Sequence, residues 1–187
     1  MKLYIKNMVC DRCKTAVKSA FLELGFSPVS VTLGEVEIAS PSITVAQSDK
    51  LKSALQQLGF ELLEDRKKQI VAQIKATIVE LVHYATEPLK INLSDYLSNK
   101  LDTEYSTLSA IFSENEPLTI EKFIIKQKIE KAKELLTYGE KSLSEIAFLL
   151  NYSSVAHLSA QFKKNTGQTT SAFKQSKLAG RKTLDKF

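Results

Sequence analysis

Cys10 and Cys13 are the only cysteines in the 187-residue chain, and they stand three positions apart. At the start of a helix that spacing lets both sulfurs turn toward one point. A helix N-terminus favours thiolate over thiol. Thiolates are soft donors that suit Cu(I) or another soft metal ion accepting few ligands. Met8, two residues earlier, offers a thioether that can pack beneath the loop. The same pair could instead cycle between dithiol and disulfide, or the loop could be purely structural. A thioredoxin-like site is disfavoured, because the chain has no Trp to stand beside the motif. The two histidines, His83 and His157, lie far along the chain. A closed four-ligand zinc site would need every Cys and His from distant elements, which is not expected. His83, between Val82 and Tyr84, reads as a packed or surface residue rather than a ligand. No Ser/His/Asp set, phosphate loop or paired-carboxylate arrangement stands out, so no enzyme is expected.

The elements that must position these residues begin with a β-α-β-β-α-β block over residues 1–64. Leu3 to Lys6 reads as a short strand. Asp11 to Leu24 reads as a helix with Val17, Phe21 and Leu24 on one stripe, closed by Gly25. Residues 29–33 alternate like a half-buried strand, Gly34-Glu35 marks a turn, and residues 36–38 complete a hairpin. Ser48 to Leu58 carries Leu51, Leu55 and Leu58 at helical spacing, and residues 60–62 form a last strand. Two such halves around a hairpin predict a ferredoxin-like sandwich.

Residues 65–87 hold no Gly, and Val71, Ile74, Ile78, Leu81 and Ala85 recur at 3, 4, 3, 4 spacing. That is a coiled-coil type of seam. It predicts a linking helix that either dimerises the chain or packs on a flanking domain.

Residues 88–187 read as all-helical and contain an internal repeat. Leu93-Ser94-Asp95-Tyr96-Leu97, followed by Leu108-Ser109-Ala110-Ile111-Phe112, recurs 50 residues later. The second copy is Leu143-Ser144-Glu145-Ile146-Ala147, followed by Leu158-Ser159-Ala160-Gln161-Phe162. Each copy predicts a short helix, a tight turn and a second helix, the layout whose second helix enters the DNA major groove. Ser142 and Glu145 spell a capping box before the second copy, whereas Thr119 with Lys122 gives only half of one.

Composition is that of a globular chain, 43% hydrophobic and 25% charged. No apolar run approaches the 18 or so residues of a membrane helix, and the N-terminal stretch lacks a signal-peptide core. A cytoplasmic protein is expected. The net charge is +5, but it is unevenly spread: residues 163–187 hold seven basic groups against one acidic. A positive end of that kind suits a polyanionic partner.

Two resemblances follow from these motifs. LSEIAFLLNYSSVAHLSAQFKKNTG (residues 143–167), its upstream partner LSDYLSNKLDTEYSTLSAIF (residues 93–112) and the linking KIEKAKELL (residues 128–136) together resemble the AraC family of transcription regulators. That resemblance implies sequence-specific binding of double-stranded promoter DNA. Met8-Val9-Cys10-Asp11-Arg12-Cys13, with Gly59-Phe60 before the last strand, resembles the heavy-metal-associated domain of copper chaperones and metal-pumping ATPases. Asn7 stands where many of those relatives have Gly, and Val9 replaces a common hydroxyl residue.

The expected DNA face follows from which helix positions are left outward. In the second copy these are Ala156, His157, Ser159, Ala160, Gln161 and Lys163. Ser, His and Gln can hydrogen-bond base edges, and Ala can touch a thymine methyl. Lys163, Lys164 and Lys174 are placed to meet phosphates, and the tail residues Lys177, Arg181, Lys182 and Lys186 could add nonspecific contacts. In the first copy the outward set is Ser106, Thr107, Ser109 and Ala110. Many AraC relatives carry Arg where Ala110 and Ala160 stand, so a bidentate guanine contact is missing from both helices. The first copy is also acidic, so the second is expected to dominate affinity. The expectation is therefore an α+β protein in three parts: a ferredoxin-like domain (1–64), a linking or homodimerising helix (65–87) and a tandem helix-turn-helix domain (88–187). Its expected function is a DNA-binding regulator responsive to a soft metal at Cys10 and Cys13. The alternatives are a thiol-redox-responsive regulator and a metal-trafficking protein whose helical half binds a protein partner.

Overall fold

A computed structural model describes residues 1–176. They form two compact units, one of residues 1–77 and 97–117 and one of residues 78–96 and 118 onward. The division differs from the three-part expectation, because it runs through two helices and groups one helix of the first repeat copy with the N-terminal sheet.

The first unit opens with β1 (Lys2–Lys6), α1 (Asp11–Glu23), β2 (Pro28–Thr32), β3 (Glu35–Ile38), α2 (Val45–Gln57) and β4 (Glu61–Leu63). The sheet order is β2-β3-β1-β4, with every neighbouring pair antiparallel. In β1, Leu3 lies opposite Val36 and Ile5 opposite Leu62. The two-residue alternation of a strand sends Leu3, Ile5, Val36 and Ile38 to the core. They meet the apolar stripes of the helices, Val17, Ala20 and Phe21 from α1 and Leu51 and Leu55 from α2. The α2 helix starts at Val45, three residues before the expected Ser48. Its start is set by Thr44, whose side chain accepts from the Gln47 N–H while the Gln47 side chain accepts from the Thr44 N–H. This reciprocal cap satisfies two donors that the helix itself leaves open.

Helix α3 (Arg66–Val79) follows, started by Asp65, whose Oδ1 accepts from the Lys68 N–H at 2.9 Å. Gly34, at φ +79 in the β2–β3 turn, lets it approach: a Cβ there would stand 3.3 Å from the Ala76 Cβ. Helix α5 (Tyr105–Asn115) belongs to the same unit. Ion pairs join α3 to the end of α5, Lys67 to Glu114 at 2.7 Å and Lys75 to Glu116 at 2.8 Å.

The expected linking helix is shorter than 65–87. It passes from α3 into one π-helical turn, Glu80–Tyr84, and is extended at Ala85. Its seam is no open stripe. Val71, Ile74 and Ile78 are buried within the protomer, Leu81 is half-buried, and Ala85 is exposed outside the helix. The packed alternative for this segment therefore describes it better than the dimerising seam.

The second unit is helical. It holds the start of α4 (Leu93–Leu101), then α6 (Ile120–Tyr138), α7 (Leu143–Leu149), α8 (Val155–Thr166) and α9 (Thr170–Ser176). The core of α6 includes Ile120, Phe123, Ile129, Ala132 and Leu136. Inside it Lys133 donates to Glu130 at 2.7 Å, so neither buried charge stands alone. Among the described residues, no helix is long and apolar enough to cross a membrane.

Candidate nucleic-acid interface and dithiol loop

The α7–turn–α8 segment is held by short-range hydrogen bonds that the sequence encodes. The Ser142 hydroxyl accepts from the Glu145 N–H at 3.3 Å, and Glu145 Oε2 accepts from the Ser142 hydroxyl at 2.6 Å and its N–H at 2.7 Å. The hydroxyl bond, then the backbone bond, hold the Glu145 carboxyl below its ordinary pKa. Ile146, Ala147 and Leu150 are buried. Asn151 turns the chain at φ +53, a conformation Asn tolerates better than most residues. Ser154 caps α8, its side chain accepting from the His157 N–H at 3.0 Å.

Leu158 and Phe162 anchor α8 in the core, and Phe173 of α9 meets the Phe162 ring edge-on at 5.5 Å. The remaining faces carry the expected contact residues. Ala156, His157, Ala160, Lys163 and Lys164 are exposed, while Ser159 and Gln161 are half-buried. Two residues that sequence reasoning missed orient this set. Ser153 Oγ lies 3.1 Å from His157 Nδ1, and the Tyr152 ring stands perpendicular to the imidazole at 5.2 Å. That leaves Nε2 as the other polar atom of an exposed imidazole. The Tyr152 hydroxyl donates to Gln161 Oε1 at 2.7 Å. Burial pushes the Tyr152 pKa up to about 12, so it stays a donor near neutral pH. With its oxygen engaged, the Gln161 amide keeps its N–H groups for other acceptors. Lys163 and Lys164 lie in the last turn of α8, where the helix dipole favours cations. The available signal was spacing, since Ser153 precedes His157 by one helical turn.

On α5, Ser106, Thr107 and Ala110 are exposed and Ser109 is half-buried. Its N-terminal residue, Glu104, makes no side-chain capping bond. Lys174 is exposed on α9. Lys177, Arg181, Lys182 and Lys186 lie outside the described residues.

The dithiol loop joins β1 to α1. Asn7 adopts φ +73, the left-handed conformation a glycine takes readily, and its Nδ2 donates to the Gly59 carbonyl at 3.1 Å. Met8 is buried beneath the loop. Cys10 occupies the N-cap of α1, and the Lys14 N–H donates to its carbonyl at 3.2 Å. The Cys10 and Cys13 sulfurs are 3.3 Å apart, both thiols free and half-buried. Burial pushes the Cys13 thiol pKa up. The expected preference for thiolate at a helix start is thus outweighed at Cys13 by desolvation. Among the described residues, no group of three or more His, Cys, Asp or Glu is placed to hold a metal. The pair fits a soft cation of low coordination number and not a closed zinc site. His83 takes no part: its Nε2 lies 3.0 Å from Oε1 of the buried Gln127.

Residues 97–176 match the family model of a helix-turn-helix domain. No curated protein matches the sequence at a significant level. Among solved structures, the C-terminal domain of AraT, a response regulator from Geobacillus stearothermophilus, is similar at 23% identity and a TM-score of 0.50. The match covers 60% of this chain and 88% of that one. The C-terminal domain of the response regulator yesN from Fusobacterium nucleatum is 26% identical over 59% of this chain and 99% of that one, with a TM-score of 0.46. The DNA-binding domain of AdpA, solved with a target DNA, is 19% identical over 60% of this chain and 93% of that one, also at 0.46. Over residues 97–176 the chain is therefore similar to a helix-turn-helix domain, a layout whose second helix can enter the DNA major groove.

Proposed function

We propose that this chain is a sequence-specific, DNA-binding transcription regulator of the AraC type, with α8 as its main reading helix. The observation that carries the reading is the outward face of α8. His157 and Gln161 are each oriented by a turn residue, and Lys163 and Lys164 follow them. With its oxygen held by Tyr152, Gln161 can donate to a purine N7 or a guanine O6, and the exposed Ala156 and Ala160 suit thymine methyls. The two lysines supply salt-dependent phosphate contacts. The test is selection of duplexes from a random pool by the full chain, followed by titration over a range of salt. Enrichment of one sequence, with affinity falling steeply as salt rises, supports the reading. Binding that ignores sequence would overturn it and favour a helical half that serves a protein partner.

The first unit is read as a ferredoxin-like sensor domain whose Cys10 and Cys13 capture Cu(I) or another soft ion. The convergent sulfurs and buried Met8 support this. Capture would stiffen the loop and the start of α1, and α3 would carry that change toward the second unit. An anaerobic Cu(I) titration against a chromophoric chelator tests capture, with Cys10→Ser/Cys13→Ser as the control. Regulation further requires that metal and DNA affinities shift each other reciprocally. A thiol-redox switch is the second reading, favoured by the 3.3 Å separation. There an oxidant such as a small disulfide takes two electrons and both thiol protons as the S–S bond forms. A homodimer would bring two weak half-sites together, through a surface other than the buried seam of residues 65–87.

A further inference from the structure

A cavity of about 230 Å³ lies inside the second unit. One wall is the strap of residues 87–93 with Leu81 and Val82 of the π-helical turn, and the other comes from α6 and the end of α7. Leu81, Val82, Leu93, Ile124 and Leu149 give it apolar walls, Glu87, Asn92 and Asn151 give it polar ones, and Lys128 lines it as well. Among the described residues Lys128 has no ion-pair partner; its Nζ stands 5.3 Å from the centre of the Tyr152 ring. Burial pushes its pKa down, as expected of an ammonium with no anion beside it. Glu87, at the cavity edge, does not neutralise it, being largely exposed and paired with Lys90 at 3.2 Å.

The strap is held without any ligand. Asn151 Oδ1 accepts from the Leu89 N–H and Asn151 Nδ2 donates to the Leu89 carbonyl, both at 2.7 Å. This two-pronged clamp spans 62 residues of sequence and fixes one wall of the cavity. A preformed hollow with apolar walls and a few convergent polar groups is the usual form of a small-ligand site. At about 30 Å³ per water-sized group, the space holds roughly eight non-hydrogen atoms.

We infer that this cavity binds a small aliphatic monocarboxylate, its chain against Ile124, Leu149 and Leu93 and its carboxylate on the Lys128 ammonium. The ligand supplies the anion that Lys128 lacks, and its chain fills the apolar remainder. Because Asn151 stands between α7 and α8, the bound ligand braces the turn from which the reading helix departs.

The test uses the full chain without DNA, so it stands apart from the DNA-binding reading. Acetate, butyrate, hexanoate, octanoate and 1-hexanol are titrated by calorimetry, and the Leu89 amide is followed by hydrogen exchange. Hexanoate should bind saturably and tightest of the five, at least tenfold tighter than 1-hexanol, and should slow exchange at Leu89. Lys128→Met should weaken hexanoate at least tenfold, and Lys128→Arg should restore much of the loss. Ile91→Trp, a change at the half-exposed rim, should block the mouth and abolish binding while leaving the fold intact. Three outcomes would each overturn the assignment: no saturable binding of any chain length, equal affinity for hexanoate and 1-hexanol, or wild-type affinity in Lys128→Met.

Discussion

Fifty residues apart, α5 and α8 bury the same side chains and expose largely different ones. Leu108 and Leu158 are both fully buried, as are Phe112 and Phe162. Of the exposed residues Ala110 and Ala160 still match, but others have diverged at the same offset. Thr107 stands where the second copy has His157, Ile111 where it has Gln161, Ser113 where it has Lys163, and Glu114 where it has Lys164. The turn before each helix differs as well. Tyr152, which orients Gln161, has Asp102 as its counterpart, at φ +48. Glu114 and Glu116 are taken up in ion pairs with α3, whereas Lys163 and Lys164 are exposed and in no ion pair among the described residues. A shared core with a divergent surface fits packing that keeps both copies folded, and under the proposed function the DNA chemistry is concentrated in one.

The largest effects test the shared half of that comparison. Phe162→Ala and Phe112→Ala each leave a cavity at a fully buried ring, and each should cost about 3–5 kcal/mol. The loss should be local. Hydrogen exchange should quicken in α6 to α9 for Phe162→Ala, and in the β-sheet and α3 for Phe112→Ala. If Phe112→Ala instead loosened α6 to α9 and spared the sheet, the grouping of α5 with the first unit would be wrong.

The divergent half is tested on DNA. Each phosphate contact contributes about 0.9 to the slope of log affinity against log salt. Replacing Lys163 and Lys164 together by Ala should lower that slope by roughly 1.8 and weaken all sequences alike. Glu114→Gln in the first copy should leave the slope nearly unchanged. An equal change from both would mean that the copies share the backbone contacts.

A smaller effect separates reading from positioning. Gln161→Ala should reduce discrimination at one base pair by about 1–3 kcal/mol. Tyr152→Phe keeps the amide but frees its oxygen, so Gln161 could then offer a donor or an acceptor. The preference should broaden at that base pair with little change in overall affinity, measured by competition among single-base variants of the selected site.

The repeat and the capping box were legible because they are local. Ser142 and Glu145 are three residues apart, and Leu158 with Phe162 spells a helix stripe. The antiparallel sheet was legible from alternation, with strand ends shifted by a residue. What stayed hidden depends on distant partners or on side-chain competition. The clamp from Asn151 to Leu89 joins residues with no common periodicity. The seam of Val71, Ile74 and Ile78 has the same spacing whether a second protomer or the same chain covers it. Cys13 showed its place at a helix start but not its burial, and the burial decides the direction of its pKa shift. Thr44 with Gln47 was a readable cap obscured by Val45, a poor helix former.

The smallest expected effect concerns that legible box, since the first copy offers Asn92 and Asp95 in place of Ser142 and Glu145. The Glu145 carboxyl is held below its ordinary value of 4.5 by the hydrogen bonds from Ser142. A group with a depressed folded pKa stabilises the fold fully above its unfolded pKa, and the contribution fades as pH falls through the folded value. The α7 cap should therefore be intact at neutral pH, begin to weaken below about pH 4.5, and be lost below the folded pKa. Glu145→Gln removes the titration but keeps an oxygen that can accept from Ser142. Its stability relative to wild type should thus be lower at pH 7 and should converge with it in acid. Ser142→Ala should return the Glu145 titration, followed by NMR, toward its ordinary value. An unchanged titration in Ser142→Ala would assign the shift to the local field and not to the box. The second copy would then have no capping advantage over the first.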